Sequence, residues 1–286
     1  MASDQLVRIR GRSGRAAGTP DREVVLVDLY WTRDKDPRVP LGHASLLAEL
    51  ARAGVRAHSL ARPVQACHGV EALAVEIEAR CRARDASAVD VALGVYVWNE
   101  ELTGPLLRRL RAGGLRNRVI LGGPQISYAG SGLEALYPEA DVFVRGYGEQ
   151  ALAQLVATGG RPGIVGVHHA GDHDEVAQTQ VDLTDLASPW LTDVVPLAGQ
   201  RFVRWETQRG CPYRCSFCQH RDADRTVRHR PLAAGRIAAD PIHARIRPWS
   251  IRPYGRRRRR TTRRPTRPAR AMALRGAPRQ IGRAHV

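Results

Sequence analysis

The sequence predicts an α/β protein built on a parallel sheet with helices on both faces. Three observations predict it. Between residues 23 and 158, short apolar runs alternate with amphipathic stretches of helical length, the pattern of repeated strand–helix–strand units. The run Val89–Val97 is almost uninterrupted in apolar residues, as a strand covered on both faces should be. Glycine turns also follow strand-like runs, at Gly122-Gly123 and at Gly146, and the carboxyl ends of such strands are where a doubly wound sheet binds ligands.

Taken in order, Val24-Val-Leu-Val-Asp-Leu-Tyr30 reads as a buried first strand. Leu41–Ala53 places Leu46, Leu47, Leu50 and Ala53 at helical spacing and ends at Gly54. Val55–Leu60 is a short second strand. Val70–Arg84 is a helix with Leu73, Ile77 and Cys81 on one stripe. Val89–Val97 is the central third strand, and Glu101–Arg111 the helix after it, with Leu102, Leu106, Leu107 and Leu110 inward. Arg118–Gly123 is the fourth strand with its glycine turn, Gly132–Tyr137 a short helix, Asp141–Arg145 the fifth strand and Glu149–Thr158 the closing helix. Right-handed crossovers between five such strands give a doubly wound sheet of flavodoxin-like order 2-1-3-4-5. A ligand is then expected at the loops after Tyr30, Val97, Gly122 and Arg145.

Five segments follow: a disordered N-terminus at 1–20, the α/β domain at 21–160, a connector at 161–200, a further fragment at 201–240 and an Arg-rich tail at 241–286. The connector holds one expected short strand, Gly163–Val167, and Val203–Thr207 is read as a strand leading into the residues beyond it. His168, His169 and His173 fall in a Gly- and Asp-rich stretch that reads as a solvated loop.

Composition narrows the function. The net charge of +17 belongs to the tail: residues 241–286 hold fifteen of the 45 basic residues and none of the 28 acidic ones. The remaining 30 basic and 28 acidic residues nearly balance, so no nucleic-acid partner is expected of the folded part. No apolar run approaches the roughly 18–20 residues of a membrane span. The first twenty residues carry Arg8, Arg10, Arg12 and Arg15 but no apolar core of a secretory signal. Five cysteines, three of them clustered, do not form a disulfide framework, and a cytoplasmic location fits them. Cys67 and Cys81 stand apart and are read as residues without chemistry.

The clustered three are the most specific feature. Cys211, Cys215 and Cys218 stand in Gly-Cys-Pro-Tyr-Arg-Cys-Ser-Phe-Cys, a Cys-x3-Cys-x2-Cys spacing. Three thiolates in one loop can hold an iron–sulfur cluster and leave one iron open, since such clusters normally take four. The alternatives are a zinc site or unrelated thiols. Structural zinc prefers four ligands, often in paired halves; His220 could be the fourth, but it follows Cys218 too closely for a favoured spacing.

This run resembles the cluster loop of the radical S-adenosylmethionine (SAM) enzymes. Leu121-Gly-Gly-Pro-Gln-Ile-Ser127 and Val144-Arg-Gly-Tyr-Gly-Glu-Gln150 resemble the turns of the cobalamin-binding domain that precedes many radical SAM barrels. The resemblance implies a [4Fe–4S] cluster on Cys211, Cys215 and Cys218, SAM chelated to the open iron and Phe217 near its adenine. It implies cobalamin against Gly122, Gly123, Pro124, Ser127, Gly146 and Glu149. Gly122 and Gly123 are expected to admit a bulky ligand close to the backbone, Ser127 to hydrogen-bond it, and Glu149 to sit at a helix N-terminus. The implied reaction is methyl transfer to an unactivated carbon or phosphorus of a small-molecule precursor, with an electron donor such as flavodoxin or ferredoxin. The Asp-x-His-x-x-Gly motif of other cobalamin domains, which supplies a cobalt-ligating histidine, is absent, and His43 lacks its surrounding pattern. Asp182–Trp190 resembles the segment joining the two domains.

Beyond the cysteines, Arg225–Leu232 reads as the start of the first helix of a partial TIM barrel, and then the pattern stops. A complete barrel takes on the order of 200 residues, while 68 follow Cys218. The tail reads as a frameshifted or truncated stretch, a disordered extension or a nucleic-acid arm. One Lys against 44 Arg marks a GC-rich gene, which favours the first. An inactive cluster-binding fragment is therefore the alternative to a working enzyme, with little SAM cleavage expected of it. A nucleic-acid-binding protein that uses the tail, with the cysteines structural, is the rival from another class.

Overall fold

The computed structural model describes residues 22–32, 40–82, 86–195, 206, 208–213, 215–218 and 227–229. The expected disordered N-terminus and the Arg-rich tail lie outside these residues, as does most of Val203–Thr207. The elements of the α/β domain are β1 (Glu23–Tyr30), α1 (Leu41–Arg52), β2 (Arg56–Pro63), α2 (Val70–Cys81), β3 (Val89–Gly94) and α3 (Glu100–Ala112). They continue with β4 (Val119–Gly122), α4 (Pro124–Ser127), α5 (Leu133–Leu136), β5 (Val142–Val144), α6 (Gly148–Thr158) and β6 (Val167–His169). The sheet order is β2-β1-β3-β4-β5-β6. The first five strands pair in parallel, the order their crossovers predict, and β6 joins antiparallel at the edge.

Alternation along the strands divides the core in two. Val25, Val27 and Leu29 face α2 and α3, where they meet Leu73, Ile77, Leu106 and Leu110. Val24 and Leu26 face α1 and α6 and meet Leu47, Leu50, Leu152 and Leu155. Each such side chain, fully buried, contributes about 1.5–3 kcal/mol. The connector adds to the second core: Trp190, Val194 and Val195 pack there, and Glu49 of α1 accepts a hydrogen bond from the Ala187 amide.

Several expectations shift. Strand β2 runs on to Pro63, which pairs with Tyr30; as an edge strand it tolerates a residue without an amide donor. Strand β3 ends at Gly94 instead of Val97, because Asn99 curls the chain away. Its Oδ1 accepts from the Tyr96 amide at 2.8 Å, and its Nδ2 donates to the Leu29 and Gly94 carbonyls. The strand expected at Gly163–Val167 begins only at Val167, after a turn at Val165 and Gly166. His168 and His169 are consequently buried in β6 instead of solvated in a loop. His168 stacks on Phe143 and its Nε2 lies 2.8 Å from Glu134.

After the connector the described residues form β7 (Gln208–Arg209) and β8 (Arg228–His229), an antiparallel pair. The strand leading into the cysteines is thus β7, since Glu206 is not in a strand. Val227–His229 is extended where a helix start was expected; His229 pairs with Gln208 across the ladder.

The layering predicts a contrast between two apolar side chains, one in β5 and one in α5. Phe143 is fully buried and Leu136 is exposed. Phe143→Ala should cost about 3–5 kcal/mol, and Leu136→Ala should stay within about 0.5 kcal/mol, both read from urea unfolding. Equal losses would place Phe143 outside the core.

Candidate functional site

Parallel strands deliver their carboxyl ends to one edge of the sheet, and a cavity of about 670 Å³ opens there. Its floor is apolar, with Leu26, Ala92, Ile120 and Val144 from four strands. All six residues assigned to cobalamin, Gly122, Gly123, Pro124, Ser127, Gly146 and Glu149, line this one cavity. So do Cys211 and Cys218. Cys215 and Phe217 do not line it; Phe217 is 90% exposed.

The glycine turns have a different cause from the one expected. Gly123 has φ +94°, and a Cβ there would lie 2.7 Å from the Val95 carbonyl oxygen. Gly146 has φ +81°, and its Cβ would lie 2.5 Å from the Thr179 carbonyl oxygen. Close approach of the chain to itself, in a backbone conformation that side chains resist, therefore requires glycine at both. Ser127 serves the same packing. Its hydroxyl donates to the Gly123 carbonyl and accepts from the Gly146 amide, both at 2.9 Å.

Sequence reasoning missed the residue that holds the rim together. Arg145 is 1% exposed; its guanidinium donates to the Ile126, Ala129 and Gly130 carbonyls and to Asp174. It thereby binds the loop after β4 to the segment 174–180, from which Gln178 and Gln180 reach the cavity. Val176 in that segment takes φ +55°, uncommon for a β-branched residue, with its amide held by Asp174.

On the opposite wall Arg209 joins the cysteine segment to the α/β domain. It donates to Glu149 Oε1 at 2.6 Å and to both oxygens of Glu206, and it lies over the Tyr147 ring at 4.9 Å. Burial works against its charge, and the two carboxylates outweigh that, holding the guanidinium above its ordinary value. The other Glu149 oxygen, Oε2, is buried and has no hydrogen-bond partner among the described residues.

His43 is not presented to the cavity. It is buried, its Nε2 lies 2.7 Å from Ser59 Oγ and its Nδ1 lies 3.9 Å from Asp28. Burial pushes His43 down to about 4 and Asp28 up to about 7. Among the described residues no three His, Cys, Asp or Glu side chains are gathered as a metal site. Cys211 and Cys215 are exposed and Cys218 half-buried, with the Cys218 amide bonded to the Cys215 carbonyl in a turn.

Donor chemistry fits the implied groups at the level of residue type: three soft thiols in one loop suit an iron–sulfur cluster. The cavity fits part of a large organic cofactor, being mainly apolar with few polar groups, one of them an orphaned acceptor. No helix among the described residues is long and apolar enough to cross a membrane.

Fold and site together define a class by architecture: a parallel α/β domain with a cavity at the carboxyl ends of its strands, lined also by two cysteines of a three-cysteine loop. No protein-family model matches the chain. It is 32% identical over 145 residues to the cobalamin-dependent radical SAM methyltransferase TokK of Streptomyces tokunonensis, covering 45% of this chain and 21% of that protein. It is also 32% identical over 146 residues to the 2-(S-pantetheinyl)-carbapenam-3-carboxylate methyltransferase of Streptantibioticus cattleyicolor, with the same coverage. The chain spans about a fifth of the length of these curated relatives. Both proteins are methyltransferases by name, and one of them is a cobalamin-dependent radical SAM enzyme.

The Asp28 environment yields a pH test. Its folded value lies above the usual 3.8, so the neutral acid is favoured in the fold and stability is lost as pH rises through about 7. His43, lowered from 6.5, has the opposite sign and loses stability as pH falls toward 4. Asp28→Asn should therefore gain on the wild type progressively from pH 4 to pH 8 in urea unfolding. A difference independent of pH would show that Asp28 is not raised.

Proposed function

We propose that the chain supplies the cobalamin-binding domain and the cluster loop of a radical SAM methyltransferase. The observation behind this reading is the single cavity lined both by the β4 and β5 turns and by Cys211 and Cys218. The two relatives, both methyltransferases by name, support the same reading.

In this proposal Cys211, Cys215 and Cys218 hold a [4Fe–4S] cluster, and Phe217, free in solvent, is available to cover the adenine of SAM. Gly122, Gly123, Pro124, Ser127, Gly146 and Glu149 form the cobalamin wall. Held there, a cluster would supply the electron for reductive cleavage of SAM to methionine and a deoxyadenosyl group, and cobalamin would supply the methyl group. The protein's own part is to shape and shelter the site. Leu26, Ala92, Ile120 and Val144 exclude water from the cavity floor, and the Arg145 bonds keep the rim in one arrangement. The acceptor is an unactivated carbon or phosphorus of a small-molecule precursor, and flavodoxin or ferredoxin is the kind of electron donor required.

Anaerobic reconstitution tests this. With iron and sulfide the chain should take up about four irons, and with hydroxocobalamin it should retain the corrinoid through gel filtration. Cys215→Ala should lose the iron and keep the corrinoid. A colourless protein that takes zinc in place of iron would sink the reading.

A further inference from the structure

Glu149 divides its carboxylate between two tasks. Its side chain is only 8% exposed. Oε1 receives Arg209, whereas Oε2 has no partner among the described residues although the residue lines the cavity. A buried acceptor without a donor is costly, about 1–3 kcal/mol and more when charged, and an N–H or O–H brought by a ligand would offset that cost. Arg209 carries the consequence outward. It follows Gln208 in β7 and lies just before Gly210 and Cys211; its contacts to Glu149 and the Tyr147 face hold that short strand against the α/β domain, and Glu206 of its own segment braces the guanidinium. Among the described residues the strand is two residues long and pairs with β8, and this side-chain cluster attaches the cysteine loop to the cavity wall.

We propose that Glu149 and Arg209 couple occupancy of the cavity to docking of the cysteine loop. A ligand donor on Oε2 fixes the carboxylate in the orientation that Arg209 needs, and Arg209 in place orients Oε2 for the ligand. Each event favours the other by the same factor, as linkage between two sites requires. The donor is an amide N–H or hydroxyl of a large organic cofactor. With a corrinoid, whose periphery carries primary amides, the coupling rests on the cofactor reading given above. Arg209 acts here as a positioning residue.

The test uses the full chain and hydroxocobalamin, measuring corrinoid affinity and amide hydrogen exchange across residues 206–218. In the wild type, corrinoid should slow exchange in that segment about five-fold or more, the low end of typical coupling. Arg209→Met should weaken corrinoid binding by a similar factor and abolish the corrinoid-dependent protection, and Arg209→Lys should restore part of both. Glu149→Gln, which puts an amide where two acceptors stood, should lose both as well. If corrinoid binds the wild type and leaves exchange in 206–218 unchanged, the coupling is overturned, and that measurement needs no variant to fold. Corrinoid affinity within two-fold of wild type in a folded Arg209→Met chain overturns it too. Failure of the wild type to bind corrinoid at all sinks the cofactor reading and the coupling with it.

Discussion

A guanidinium buried at the carboxyl end of β5 sets the shape of everything above the sheet. Arg145 has almost no access to water, and a buried charge must be neutralised and hydrogen-bonded or it costs several kcal/mol. Its four acceptors come from two places far apart in sequence. Three are carbonyls of α4 and the loop following it, and the fourth is Asp174 of the segment beyond β6. To satisfy one cation, the chain must bring these segments together over the sheet edge. The Gly146–Thr179 bridge and the bond from Gln178 to the Ser127 carbonyl follow from that approach. The rim of the cavity is the by-product of that arrangement.

From the rim the arrangement extends to the cysteines. Segment 174–180 closes one side of the cavity, α6 begins beneath it, and Glu149 in the first turn of α6 meets Arg209 from the cysteine side. Charge balance thus recurs at each step outward: Asp174 with Arg145, then Glu149 and Glu206 with Arg209. The apolar floor needs no such pairing. It is the ordinary exposed end of a parallel sheet, and its strands are held by the two cores below. A cavity with an apolar floor and ion-paired walls holds a ligand by area and orients it by few polar groups.

The sheet was legible because burial on both faces leaves a continuous apolar run, as in Val24–Leu29 and Val89–Val95, and because its helices keep one apolar stripe. Resemblance at the two glycine turns singled out six of the residues that line the cavity, and spacing with the Gly-Cys-Pro start singled out the three cysteines. What escaped reading has a common cause. Arg145 with Ile126 and Asp174, Glu149 with Arg209, and His43 with Ser59 are pairs distant in sequence that leave no local period. His168 and His169 were read as a loop because their neighbours are Gly and Asp, yet an imidazole stacked on Phe143 and bonded to Glu134 can be buried as readily as an apolar ring. The barrel start was read from resemblance, and the described residues there form only β7 and β8.

The glycines show how a motif can be right in place and different in cause. Gly123 and Gly146 lie where a ligand was expected, and both line the cavity, yet each is required by contact with another stretch of backbone. A side chain at either would be refused before any ligand arrived, through positive φ and collision together. Gly122 differs, since a Cβ there would meet the Val144 carbonyl oxygen only at ordinary contact distance, 3.5 Å. Of the two glycines at the end of β4, only Gly122 is therefore not demanded by the fold itself. Gly123, Ser127 and Gly146 build the wall of the cavity, and Gly122, Pro124 and Glu149 line it without that constraint from the backbone.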